Sequence, residues 1–416
     1  MRETEGTEDA GNCAEDVDCL VADVGSPPRR IAIQVASPIL APTGLADCGE
    51  RRAYESLIVH LPADTELAVV VEENNRLHAE QWLSALIPDR VWKIVPAPTG
   101  ALAKTVWMRD AFLCVRRAGA NTYLKTRISA DFNQADWLAA KDQNGLSNVD
   151  VHLDGGDCLV GLDGWLVAVD SIKVTARIHR CRAIAAQAMV AAIDQRPMRV
   201  AGFRYPKLKL KRAWLFARAR QVAEEARTVS VRRLDKPRLW LPHLTFIMRM
   251  LLELLRVLAN PDELYQEWKH VDLVLSVTGI RADGSGKEIV LVASTTMPPA
   301  SRDDPEVEMM GDCLDALAIH LAELGYDVRR NPAPYASVSS SFRRILPYNN
   351  VIVQNDPNIV WLPRLALPDG TFADADQANL DIWRGLGFQV VQVPDLHVYA
   401  AMNGSLRCLT KTLART

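Results

Sequence analysis

Short β-rich runs alternate with helical ones along most of the chain, and this alternation limits the available folds more than any other feature of the sequence. Ile31–Val35, Leu67–Val71 and Val91–Val95 read as strands, and Asn75–Ile87 places Leu77, Trp82, Leu83 and Leu86 at helical spacing. Phe112–Val115, Tyr123–Thr126 and Trp165–Val169 read as strands, followed by an Ala-rich helical face over Ala176–Ile193. Further strands are predicted at Asp272–Val277, Ile289–Ala293, Val351–Val353, Val360–Leu362 and Gln389–Val393. Helices are predicted at Val307–Leu324 and Asp374–Leu386. The pattern is that of an α/β protein assembled from units of about 60 residues, a period that suggests internal repetition.

One region breaks the rhythm. Between Arg204 and Arg238 twelve Lys or Arg face only Glu224, Glu225 and Asp235. Two helical patterns lie here, Lys211–Thr228 and His243–Ala259, the second stopped by Asn260-Pro261. Residues 197–262 therefore read as a basic helical insertion. Residues 1–24 read as an acidic mobile tail, and 25–416 as the regular fold that the insertion interrupts. The net charge of −3 sums these two opposing blocks. Lys and Arg runs usually form solvated helix faces, so an anionic partner for the insertion is the lesser reading and a wall or lid beside the site another. The apolar stretch Phe246–Ala259 is broken by Arg249, Glu253 and Arg256, which argues against a membrane span. Eight scattered cysteines make no CxxC pair, as expected for a cytoplasmic, reducing compartment.

Four segments embed polar residues in apolar surroundings, where they need partners or a role. They are Trp107-Met108-Arg109-Asp110, Asp154-Gly155-Gly156-Asp157, His270-Val271-Asp272, and Gly404-Ser405-Leu406-Arg407-Cys408. On a strand, His270 and Asp272 would share one face. Cys408 beside Arg407 is a candidate nucleophile, though most isolated cysteines are inert buried thiols. Asp154 and Asp157 also suit ordinary turns, since Asp-Gly is a common turn dipeptide. The glycines permit close backbone approach or positive φ. Several carboxylates without metal-ligand spacing suit an organic cation such as a guanidinium.

Taken in order, these four motifs resemble those of the guanidino-group-modifying pentein superfamily, which includes agmatine, arginine and protein-arginine deiminases, dimethylarginine dimethylaminohydrolases and amidinotransferases. Trp107–Asp110 is most similar to agmatine deiminases, and His270–Asp272 with Leu275-Ser276 to protein-arginine deiminases. The DGGD segment resembles the dimethylarginine hydrolases, and Arg407-Cys408 the arginine deiminases. Tyr348-Asn349-Asn350-Val351, followed by Trp361-Leu362-Pro363, resembles a strand pair of bacterial members. The resemblance implies a pseudo-fivefold α/β propeller of ββαβ-type units.

It also implies roles. Cys408 would be the nucleophile, His270 the general acid and base, and Asp154 the group that orients His270. Asp110 and Asp272 would grip the guanidinium, with Trp107, Arg109 and Asp157 alongside. The implied reaction is deimination of an arginine-type guanidine, free or on a protein, to a ureido group and ammonia, with no metal or other cofactor at the catalytic centre. Amidino transfer would use the same residues, and a non-catalytic protein that binds an anionic partner is the alternative from another class. Three positions depart from the pattern: Lys269 replaces the usual Gly before the His, Asp154 replaces the commoner Glu, and Arg407 replaces the His usual before the Cys in agmatine and protein-arginine deiminases.

Overall fold

The computed structural model describes residues 18–40, 49–104, 106–117, 120–204, 263–295, 304–338 and 343–416. Within them one topological unit occurs five times: an antiparallel strand pair, a helical crossover, and a third strand parallel to the second. Thr410–Arg415 pairs with Pro28–Gln34, which is joined through helix Gly49–His60 to Glu66–Glu72. This sheet gains a fourth parallel strand, Trp92–Ala97, after helix Arg76–Leu86. The second unit is Leu113–Arg117, Ala120–Lys125, helix Gln134–Asp142 and Gly145–Asn148. The third runs Cys158–Val160, Trp165–Ala168, helices Val169–Ile178 and Ala183–Ala191, then Met198–Ala201. Leu275–Arg281, Glu288–Ser294, helix Pro305–Glu323 and Asp327–Pro332 form the fourth. Ile352–Asn355, Asn358–Pro363, helix Ala373–Gly385 and Gln389–Val393 form the fifth. Middle strands such as Glu66–Glu72 are buried on both faces, so they read as continuous β-branched runs rather than alternating ones. No described helix is long and apolar enough to cross a membrane.

Several expectations change. The helix expected over Ala176–Ile193 is two helices, because Arg180 adopts a left-handed φ of 49°. Its N–H reaches Arg177 O, while the N–H of Cys181 reaches Ala176 O, the paired bonds of a Schellman stop. The strand expected from Asp272 begins only at Leu275, since Val271–Leu273 form a 3-10 turn that interrupts the two-residue alternation. Residues 18–24 do not behave as tail: Cys19–Leu20 pairs with Leu113–Arg117, and Asp23 is buried among arginines. Met198–Ala201, assigned to the insertion, is the third strand of a unit, and Phe203 bridges to Tyr265. The insertion helices Lys211–Thr228 and His243–Ala259 and the rest of the tail lie outside the described residues. Cys19 is disulfide-bonded, against the expectation from cysteine spacing, whereas Cys114, Cys158, Cys181, Cys313 and Cys408 are free.

Each of the polar motifs falls immediately ahead of the first strand of a unit. Asp110 precedes Leu113–Arg117, Asp154–Asp157 precedes Cys158–Val160, His270–Asp272 precedes Leu275–Arg281, and Cys408 precedes Thr410–Arg415. The fifth such position is Asn349-Asn350, ahead of Ile352–Asn355. Asn349 anchors that loop. Its Nδ2 donates to Leu291 O at 3.0 Å and Asn331 Oδ1 at 3.1 Å, and its Oδ1 accepts from Asn331 Nδ2 at 3.1 Å. Removing it leaves buried amide groups without partners. Asn349→Ala is expected to lower unfolding free energy by about 2–4 kcal/mol, measured by urea denaturation, and Asn349→Asp, which sets a buried carboxylate oxygen against the Leu291 and Asn331 oxygens, costs at least as much.

Candidate active site

His270 ends the extended segment before its 3-10 turn and is buried beside three carboxyl groups. Its Nε2 lies 3.0 Å from Asp154 Oδ2 and its Nδ1 3.8 Å from Asp110 Oδ2. Gly156 lets these groups meet, since a Cβ there would come within 2.4 Å of His270 Nδ1. Gly155 is confined in the same way by the Arg109 carbonyl, 2.1 Å from a built Cβ. Both glycines thus serve close approach, and neither has positive φ. Gly156 also ties the Asp110 carboxylate to the Asp272 backbone: its N–H donates to Asp110 Oδ1 at 3.1 Å, and its carbonyl accepts the Asp272 N–H at 3.1 Å.

Burial works against a charge on His270, but Asp110, the hydrogen-bonded Asp154 and Asp157 outweigh it and push its pKa up to about 10. Burial likewise opposes ionisation of Asp154, yet the hydrogen bond and charge of His270 hold its carboxyl below the usual value. Asp110 is pushed up to about 6, first by burial and then by repulsion from Asp154. Asp157 is pushed well up by burial and Asp154; its Oδ2 accepts from Ser171 Oγ at 3.0 Å. His270 thus pairs as an imidazolium with Asp154, and burial together with the Asp154 charge favours the acid form of Asp157.

Behind this cluster lies a second layer of buried charge. Arg109 donates Nε to Gly155 O at 2.8 Å and Nη2 to Cys158 O at 3.0 Å, and Nη2 stands 3.2 Å from Asp23 Oδ1. Arg407 spans Asp23 and Asp272, with Nη2 2.7 Å from Asp23 Oδ2 and Nη1 3.1 Å from Asp272 Oδ2. Burial would raise the pKa of Asp23, but Arg109 and Arg407 hold it far below the ordinary value. Arg109 therefore turns inward to support the loop instead of facing the Asp110 side.

Cys408 sits in the short helix Leu406–Leu409, which packs on the turn carrying Asp110. Its backbone N–H donates to Asn350 Oδ1 at 3.0 Å. Burial pushes its thiol well above the usual range and Asp272 and Asp110 push it further, while the Ser405 backbone and the Asn350 side chain act in the opposite sense. The same carboxylates that disfavour a bare thiolate would attract a cation beside the sulfur.

The structure thus gathers Asp110, Asp154, Asp157, His270, Asp272 and Cys408 into one buried neighbourhood. Trp107 stands at its edge, its ring 5.9 Å from that of Tyr399 and pressed against Gly404. Asn350 and Asp23 were not singled out by sequence reasoning; the repeated position ahead of a first strand is the signal that could have found Asn350. Among the described residues, metal-ligand types cluster at Asp110, Asp154 and His270. There the imidazolium already supplies compensating charge, and Nε2 is engaged with Asp154.

A raised His270 pKa carries a pH signature. The unfolded imidazole titrates near 6.5 and the folded one near 10, so its stabilisation is complete below about 6.5 and declines as pH rises towards 10. His270→Asn should cost on the order of 2–4 kcal/mol at pH 6 and clearly less at pH 10 when the two proteins are compared by denaturant unfolding. An equal penalty at both pH values would contradict the imidazolium pair.

No protein-family model and no curated protein matches the chain. Solved structures do match along nearly its whole length. An agmatine deiminase of C. jejuni is 12% identical, with a TM-score of 0.57 and 95% of each chain covered. A candidate arginine deiminase of Porphyromonas gingivalis is 13% identical, with a TM-score of 0.60 and coverage of 95% of this chain and 97% of that one. A candidate peptidyl-arginine deiminase is 12% identical, with a TM-score of 0.58, covering 96% of this chain and 99% of its own. At such identities the likeness speaks for the fold alone, and the chain has the mixed α/β fold of these deiminase structures.

Proposed function

We propose that this protein is a hydrolase that converts a guanidino group to a ureido group and ammonia. The observation that carries the reading is the convergence of Asp110, Asp154, His270, Asp272 and Cys408. Sequence places them far apart; the fold buries them together, with carboxylates on a thiol and an imidazolium paired to one of them. The five units, taken as standing around one axis, would each deliver the loop ahead of their first strand to that centre. The matched structures include an agmatine deiminase Cys-to-Ser variant with substrate bound, which supports the same reaction class.

In this mechanism a substrate guanidinium is held by Asp110 and Asp272 with its central carbon at the Cys408 sulfur, so attack is a positioned step. The cation offsets the carboxylate charges that keep the thiol protonated; the thiol releases its proton to solvent water as the cation binds, and the thiolate adds to the carbon. His270, as imidazolium, gives its proton to one terminal nitrogen; the C–N bond breaks and ammonia leaves, with a thiouronium left on Cys408. Water then loses a proton to His270 and attacks the same carbon; the C–S bond breaks, and the hydroxyl proton of the adduct passes to the departing sulfur, releasing the ureido product and restoring the Cys408 thiol and the His270 imidazolium. A free arginine-type molecule or a protein arginine, giving a citrulline group in the latter case, can present this group at the end of a slim chain.

A ureido-product assay on arginine, agmatine, dimethylarginine and an arginine-containing peptide tests the proposal. At least one should yield ureido product and ammonia, and Cys408→Ala should lower that rate by at least about 10³-fold. Absence of product from all four, with the Cys408 thiol shown to be free, would falsify the deiminase reading. Transfer of the amidino group to an added amine without ammonia release would replace it with amidino transfer.

A further inference from the structure

Asp272 is fully buried, yet its two oxygens are unlike. Oδ2 accepts from Arg407 Nη1 at 3.1 Å, whereas Oδ1 is buried with no hydrogen-bond partner. Its backbone is fixed separately by the bond to the Gly156 carbonyl. Arg407 is itself clamped, with Nη2 donating to Cys158 O at 2.9 Å and pairing with Asp23 at 2.7 Å. Asp23 is in turn held by the Val160 N–H at 2.8 Å and by Arg109. A guanidinium of the protein's own is thus already docked on the carboxylate that the proposed function assigns to a substrate guanidinium. Because the fork is anchored from behind, it cannot swing away to expose both carboxylate oxygens without breaking the Asp23 pair.

We infer that Arg407 is a positioning residue that sets the orientation of Asp272 and leaves Oδ1 as the single acceptor offered to a ligand's guanidinium. The inference rests on the guanidine reading above and deepens it. Asp110 has the same form, with Oδ1 tied to the Gly156 N–H. A bound guanidinium would then meet one oxygen from each carboxylate, Asp272 Oδ1 and the Asp110 Oδ2 that lies 3.8 Å from His270 Nδ1, at two different nitrogens, in place of a two-oxygen fork on either. Such an arrangement fixes the plane of the guanidinium through the spacing of two loops joined at Gly156. Lysine at 407 would not reproduce it, because one ammonium cannot donate in a fixed fork to Asp23 and Asp272 together.

The test is a double-mutant cycle on ligand binding. In the full-length Cys408→Ala protein, which cannot turn ligand over by this route, arginine, agmatine and uncharged citrulline are titrated calorimetrically against R407K, D272N and the combined variant. R407K should weaken the guanidinium ligand that binds best by about tenfold. In the D272N background the same change should cost less than about threefold, and citrulline binding should move little in either background. Independent, multiplying losses, or equal losses for guanidinium and citrulline, would reduce Arg407 to a structural part and overturn the inference alone. Failure of both guanidines to bind the Cys408→Ala protein would instead remove the guanidine reading, and this inference with it. Thermal unfolding of each variant confirms that the folded protein is being titrated, and D272N, which keeps the side-chain shape, carries the comparison if R407K does not fold.

Discussion

The site depends on a buried chain of charge, from Asp23 through Arg109 and Arg407 to Asp272. Two guanidiniums and two carboxylates taken out of water are costly, and removal of one partner would leave the others uncompensated by several kcal/mol. What this arrangement supplies is registration. Arg109 and Arg407 both donate to the Cys158 carbonyl, and Arg109 also to that of Gly155, so the motif loops before three different strands are referred to one origin. Asp23 brings in the N-terminal segment as well, through the Val160 N–H. Hydrophobic packing can hold the sheets together without setting these loops to tenths of an ångström; directional ionic hydrogen bonds can.

Electrostatics in front of this layer follow from how the charges are divided. Arg407 and Arg109 are committed to Asp23 and Asp272, so the second carboxylate cluster, Asp110, Asp154 and Asp157, is left mainly to the imidazole of His270, with Lys269 the lesser cation. That imbalance favours the imidazolium of His270, raises the pKa of the Asp157 carboxyl and pushes that of Asp110 up to about 6. It also explains why a buried thiol here is quiet at rest. Burial and two carboxylates disfavour the thiolate, and in the proposed reaction an incoming cation would relieve that penalty.

Much of the fold was legible because its strands are buried on both faces: runs such as Leu67–Val71 and Ile289–Ala293 are apolar enough to stand out, and they fall inside observed strands. Strands with mixed or brief patterns were not legible. Thr410–Arg415 carries Lys411 and Arg415, and Asp327–Pro332 carries two arginines, so neither shows a strand period, although each completes a unit. Asp23 was taken for tail for a related reason: its local sequence is acidic, and the arginines that neutralise it are distant in sequence. Same-face reasoning for His270 and Asp272 assumed a strand where the chain makes a 3-10 turn, and the residues converge through the Gly156 bridge instead.

Asn350 shows what the repeat adds to motif reading. A side-chain amide with no charge and no reactive atom carries no catalytic signature, and beside Asn349 it looks like an ordinary loop residue. Position makes it different. Four units place a carboxylate, an imidazole or a thiol just before their first strand, so the equivalent residue of the fifth unit is directed to the same neighbourhood by the same connection. Its Oδ1 receives the Cys408 N–H, which fixes the backbone that carries the thiol. Asn349 faces the other way, into the Asn331 and Leu291 contacts that hold the loop. Two adjacent asparagines therefore divide the labour: one secures the connection and the other orients the backbone of Cys408. Repetition of the fold, more than the chemistry of the side chain, assigns the fifth loop its part.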